Sequence, residues 1–156
     1  IARNNLEKNW KLIKRDIFRF NAKEKFELVY SFKFIRHFDI KKRSILYKKI
    51  RNLMKKDGYL VFDVPNKLIY YNYQKKHPGA VYDELWNKDE IIKELKDNGF
   101  IIIQTIQNIK HFRSQEFLSK FSKIKILNYP LFLLLRAIEI TPTNKPYEWI
   151  IVAKLK

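Results

Sequence analysis

The sequence predicts an α/β fold, a mostly parallel sheet with helices packed on it, in a single domain over residues 1–156. Three observations point there. Tyr59 to Val64 has too few polar positions to be half-exposed, and it reads as the middle of a sheet covered on both faces. Helix and strand patterns alternate on either side of it. No internal repeat or domain boundary is visible, and 46% apolar residues are enough for one core.

Ile1 to Asn9 has the pattern of the back half of a helix. Trp10 to Arg15 reads as a short strand ending at Asp16-Ile17-Phe18, and Asn21 to Lys25 as a polar loop. Phe26 to Phe32 is a second strand, apolar except at Glu27 and Ser31. A turn or short helix over Phe34 to Phe38 carries Arg36 and His37. From Asp39 to Met54, apolar residues at Leu46, Ile50, Leu53 and Met54 mark one face of a helix, and lysines cover much of the rest. Gly58 is placed to turn the chain into the strand Tyr59 to Val64, which Pro65-Asn66 stops.

Lys67 to Trp86 is the least regular segment, and a loop this long and aromatic is usually functional or a lid. Asn87 then opens a helix as its N-cap, with Glu90 three residues on, an apolar face at Ile91, Ile92 and Leu95, and Gly99 after its end. Phe100 to Ile109 is a β-branched strand. His111 to Ile124 is a basic helix, and Asn128 to Glu139 an apolar one that holds Pro130 in its first turn. Thr141 to Pro146 is a turn, and Glu148 to Leu155 is the last strand.

The formal net charge is +17, with 33 Lys and Arg against 16 Asp and Glu. Such a charge suits nucleic acid or an anionic membrane. It also fits plain composition bias, because the lysines are spread along the chain and lysine, isoleucine, asparagine, tyrosine and phenylalanine are abundant together. The sequence contains no cysteine, which removes disulfide partners, thiolate metal sites and thiol catalysis. Ile1 to Asn9 has no signal-peptide pattern, and no apolar run approaches a membrane span. Together these features point to a cytoplasmic protein. No carboxylate–histidine cluster has the spacing of a metal site.

Five stretches in order resemble the class I S-adenosylmethionine-dependent methyltransferases. They are Arg15-Asp16-Ile17, Phe26 to Phe32 with Ile35 to Phe38, Leu53 to Asp63, Glu90 to Phe100, and Trp149 to Lys154. The resemblance implies a partial Rossmann-like sheet, mostly parallel with a final antiparallel strand, equivalent to the C-terminal two-thirds of that fold. It also implies S-adenosyl-L-methionine as cofactor and a methyl transfer. The glycine-rich loop of the family has no counterpart here: the three glycines, Gly58, Gly79 and Gly99, lie far apart. The chain is therefore expected to be a fragment of a longer enzyme, poorly soluble or inactive on its own.

By the same resemblance, Asp16 accepts a hydrogen bond from the adenine amino group, Ile17 and Phe18 line the ring, and Ser31 and Phe32 lie beside the methionine part. Asp16 equally suits a loop start that makes local turn bonds. His37 either packs near the cofactor or takes a proton from an acceptor hydroxyl as general base. Arg36, Tyr70, Tyr71, Tyr73 and Tyr82 are the candidates for holding the acceptor, and the four tyrosines with Trp86 read equally as an aromatic lid or as plain loop packing. His77 and His111 read as surface residues. A small-molecule acceptor, on a sugar or a lipid-linked group, is the leading expectation. The alternatives are an RNA methyltransferase or basic RNA-binding module, and peripheral membrane contact through Phe117 to Ile138.

Overall fold

The computed structural model describes residues 11–76, 83–143 and 145–156, with backbone alone at 72–74 and 76. Four strands, β1 (Phe26–Ser31), β2 (Met54–Pro65), β3 (Phe100–Asn108) and β4 (Glu148–Leu155), form one sheet in the order β1-β2-β4-β3. β1 and β2 are parallel, and β4 runs antiparallel to both β2 and β3. The helices are α1 (Ile40–Leu53), α2 (Lys67–Lys76), α3 (Lys88–Asp97), α4 (Phe112–Ser119) and α5 (Asn128–Ile140), with 3₁₀ turns at Ile35–His37 and Lys125–Leu127. The expected α/β class and the final antiparallel strand are both present.

The α1 start is set by Asp39, whose side chain accepts the Lys42 N–H at 2.9 Å. The α3 start follows its sequence signature: Glu90 reaches back to the Asn87 N–H at 2.8 Å. Gly99 follows α3 at φ +81°, a conformation that glycine adopts without a steric cost. Leu46 and Ile50 of α1 and Ile91 and Leu95 of α3 pack on Leu60, Phe62 and Val64 of β2, all fully or almost fully buried. Each such side chain contributes about 1.5–3 kcal/mol by leaving water.

Several expectations are corrected. Among the described residues, β2 is central by its edges but not roofed on both faces. The strand register puts Tyr59 and Val61 on the face away from this core, with Leu28 and Tyr30 of β1 and Ile101 of β3. Leu28 is 52% exposed, Tyr30 61% and Ile101 49%. The strand expected over Trp10 to Arg15 does not form at Lys11 to Arg15, which are exposed and outside the sheet. A strand needs a neighbour for its N–H and C=O groups, and none of the described residues pairs with the outer edge of β1. Trp10 and the Ile1 to Asn9 helix lie outside the described residues.

Gly58 ends no helix. α1 runs straight into β2 at Met54, and Gly58 sits inside the strand where the register against β1 slips. The segment read as least regular contains α2, begun by buried Asn66, whose Oδ1 accepts the Leu68 N–H at 3.1 Å. The basic helix expected over His111 to Ile124 stops at Ser119, and turns lead on to α5. Among the described residues, no helix is long and apolar enough to cross a membrane.

Candidate functional site

The carboxyl ends of β1, β2 and β3 and the start of β4 lie at the same end of the sheet. Ligands of open α/β sheets bind beyond that end. Here the sheet gathers polar side chains from six separate segments around Arg36, whose side chain is 3% exposed. Arg36 donates to Asp63 of β2, and its guanidinium also lies 3.5 Å from Glu148 of β4 and 3.8 Å from Asp83. The Lys33 N–H donates to the other Asp63 oxygen at 2.5 Å, and Asn108 of β3 donates to Glu148 at 2.5 Å.

Three carboxylates thus share one guanidinium. Burial first, and then the charge of Asp63, push the Glu148 carboxyl up, against the pull of Arg36. Asp83 serves two further groups. His37 Nδ1 lies 2.8 Å from one of its oxygens, and the Tyr70 hydroxyl donates to the other at 2.8 Å. Burial and that bond raise the Tyr70 pKa, so the phenol keeps its proton. The His37 side chain is 35% exposed and borders a cavity of about 180 Å³ that Lys33, Arg36, Tyr70, Asp83, Tyr147 and Glu148 also line.

Two loops at this end hold non-glycine residues in left-handed backbone conformations, Lys33 at φ +52° after β1 and Ile109 at φ +50° after β3. A β-branched residue there carries strain of about 1–3 kcal/mol, which the surrounding bonds must offset. The Ile109 carbonyl accepts the Tyr147 N–H at 2.9 Å, and the Lys33 bond to Asp63 anchors the other loop.

A second cavity, about 420 Å³ and mostly apolar, lies on the α1 side of the β1 end. Ile17, Val29, Ser31, Phe32 and Phe34 are among its walls. Ser31 Oγ is buried there without a hydrogen-bond partner among the described residues. A buried hydroxyl with no partner is a place for a ligand atom or water. The larger groove of about 640 Å³, between α1 and α3, is lined by the Arg43–Glu94 ion pair that joins these helices.

The structure therefore brings Ile17, Ser31 and Phe32 to one cavity, and Arg36, His37 and Tyr70 to the other. Phe18 instead packs edge-on against Phe38 at 5.4 Å. Asp16 is exposed, and its Oδ1 accepts the Phe18 N–H at 2.9 Å in a local turn. The Arg36 guanidinium is turned inward onto carboxylates. Tyr71 is 55% exposed with the Lys75 ammonium 5.6 Å from its ring. The Tyr73 side chain, His77 and Tyr82 lie outside what is described. Asp63, Asp83, Asn108 and Glu148 were not singled out from sequence. Asp63 alone carried a signal, a charge inside an apolar strand. No group of side chains among the described residues is arranged to hold a metal ion.

No protein-family model matches the chain. No curated protein sequence matches it either. Solved structures do. An S-adenosylmethionine-dependent methyltransferase from Clostridium acetobutylicum ATCC 824 aligns over 90% of this chain with a TM-score of 0.57 and 13% identity. Magnesium protoporphyrin IX methyltransferase (ChlM) from Synechocystis PCC 6803 with bound SAH aligns over 92% at 0.51 and 16% identity. The mitomycin 7-O-methyltransferase MmcR aligns over 91% at 0.56 and 10% identity. This chain spans only 63%, 50% and 33% of those three proteins. At such identities the likeness speaks for the backbone alone, and it shows that the described residues have part of the fold seen in those methyltransferase structures.

Proposed function

We propose that this chain is part of an S-adenosyl-L-methionine-dependent methyltransferase acting on a small molecule. The observation that carries the reading is the pairing of two cavities at the end of β1. One is apolar and holds the unpartnered Ser31 hydroxyl; the other holds His37 against Asp83. The residues of the first fit a sulfonium donor in kind. Ile17 and Phe32 supply apolar walls and Ser31 a hydrogen-bonding group. Asp16 lies outside that lining, exposed at the loop start, and is the carboxylate proposed for the adenine amino group. When bound, such a donor supplies an electrophilic methyl group.

The protein's own contribution is positioning and proton management. The Asp83 carboxylate, 2.8 Å from Nδ1, is the group that would orient the His37 ring to take a proton from an acceptor hydroxyl. Tyr70, fixed on the same carboxylate, lines the same cavity. Arg36 holds Asp63, Asp83 and Glu148 in place and acts on the acceptor only through them. The sheet face and the β1 edge that no described residue covers support a further part of the reading. Other segments of the parent protein complete the sheet and its glycine-rich loop, and the chain alone is inactive. The lack of cysteine suits a reducing, cytoplasmic setting.

The small-molecule class rests on neighbours titled for a porphyrin and for mitomycin. An RNA methyltransferase or RNA-binding module is not favoured. The test is calorimetric titration of the parent protein with S-adenosyl-L-methionine and S-adenosylhomocysteine. Saturable binding that weakens at least tenfold in Phe32→Ala supports the reading, and no binding of either compound ends it.

A further inference from the structure

We propose that the hairpin made by α4 and α5 docks on an anionic lipid bilayer, with its tip, residues 120–129, entering the headgroup layer. Neither helix, nor the 3₁₀ turn between them, contributes a buried residue. At the tip, Ile126 is 84% exposed, Tyr129 71% and Ile124 49%. Apolar side chains gathered in this way on an exposed surface mark an interaction site.

The charge pattern selects the partner. From Phe117 to Ile138 there is no Asp or Glu, while Lys120, Lys123, Lys125 and Arg136 alternate with apolar residues. Glu139, the acid that follows, is turned into the base of the hairpin, where it accepts the Lys110 and His111 N–H groups at 2.9 and 3.0 Å. Protein interfaces are depleted of lysine at their centres. An anionic membrane favours the opposite arrangement: apolar side chains below the headgroups, lysine stems lying along them with ammonium groups at the phosphates, and tyrosine at the boundary. α5 has 13 residues, too short to span a bilayer, so the contact is interfacial.

The hairpin is also joined to the rest of the fold. The Phe112 ring stacks on Tyr147 at 4.1 Å, and Tyr147 lines the cavity that holds His37.

The experiment is co-sedimentation of the full protein with vesicles of phosphatidylcholine alone and of phosphatidylcholine mixed with phosphatidylserine. Binding is expected to the mixed vesicles only, and to fall at high salt. Lys123→Gln with Lys125→Gln should weaken it roughly 30-fold, because each lysine near such a surface contributes about 1 kcal/mol. Ile126→Ser with Tyr129→Ser should abolish it with the melting temperature unchanged, since both side chains are exposed. Absence of vesicle binding overturns the proposal, and so does binding that survives the Ile126 and Tyr129 changes. A self-associated form that the same changes dissolve, seen without vesicle binding, overturns it in favour of a second copy of the chain.

Discussion

Arg43 of α1 grips Glu94 of α3 through two parallel hydrogen bonds, Nε to Oε1 at 2.7 Å and Nη2 to Oε2 at 2.8 Å. The same carboxylate accepts the Tyr47 hydroxyl at 3.0 Å and the Trp86 indole N–H at 2.9 Å. Arg43 also donates to the Phe38 carbonyl at 2.6 Å and lies 4.8 Å from the Trp86 ring centroid. Burial works against the Arg43 charge, but Glu94 and Glu84 outweigh it and hold the pKa above its ordinary value. Removing one partner of such a pair leaves a buried charge uncompensated. Glu94→Ala should cost about 3–5 kcal/mol, read as a lower urea midpoint at an unchanged slope. Replacing Arg43 and Glu94 together by leucine should restore only the part due to the uncompensated charge, because the buried Tyr47 hydroxyl and Trp86 N–H then lose their acceptor. A single variant as stable as the parent would show that the pair does not hold α1 to α3.

Gly58 offers a test of the slipped register between β1 and β2. A Cβ at this position would stand 2.9 Å from the Phe26 carbonyl oxygen and 3.1 Å from those of Glu27 and Lys55. All three are backbone atoms of strands or of the slip itself, so they cannot swing away as a side-chain end can. Gly58→Ala is expected to destabilise by roughly 1–3 kcal/mol. Denaturant unfolding checks it, and a neutral or stabilising result would mean that β1 and β2 do not approach this closely.

Glu148 makes stability depend on pH with a definite sign. Its carboxyl is pushed up by burial and by Asp63, so the folded state binds this proton more tightly than the unfolded chain does. The contribution is fully present below the ordinary glutamate value and is lost as pH rises through the raised one. Glu148→Gln keeps the shape and the acceptor for Asn108 while removing the titration. Urea midpoints measured across that window should fall with rising pH in the parent and stay flatter in the variant. Parallel pH slopes would remove Glu148 from the account.

His37 and Asp83 are separable kinetically if the proposed methyl transfer is right. His37→Ala should lower kcat by about 10²–10⁴ while leaving donor affinity in place. Asp83→Asn should give a smaller loss and move the pH profile, because it alters the group that orients the ring. Unchanged turnover in His37→Ala would reassign His37 to packing beside the site.

Local chemistry made much of the fold legible in sequence. Asn87 and Glu90 announce the start of α3, Asp39 that of α1, and the run from Glu148 to Leu155 matches β4 residue for residue. What failed was non-local. The pattern of Trp10 to Arg15 suits a strand, but a pattern cannot supply the neighbour that a ladder requires. α2 was missed because its signal is one buried asparagine and not an apolar period. The site was half visible. His37, Arg36 and Tyr70 stand out by residue type, whereas Asp83 and Glu148 matter only because the fold brings the segment before α3 and the start of β4 onto Arg36.

The placement of β4 sets an order on biosynthesis. It follows the other three described strands in sequence, yet it lies between β2 and β3, and among the described residues β3 pairs with nothing else. While the ribosome is still translating α5, β1, α1 and β2 can already associate, but β3 must wait as an unpaired nascent segment. A premature stop codon before Glu148 would therefore leave β3 stranded beside a two-stranded remnant. Such a product would be open to chaperone capture or proteolysis, even though most of the chain had been made.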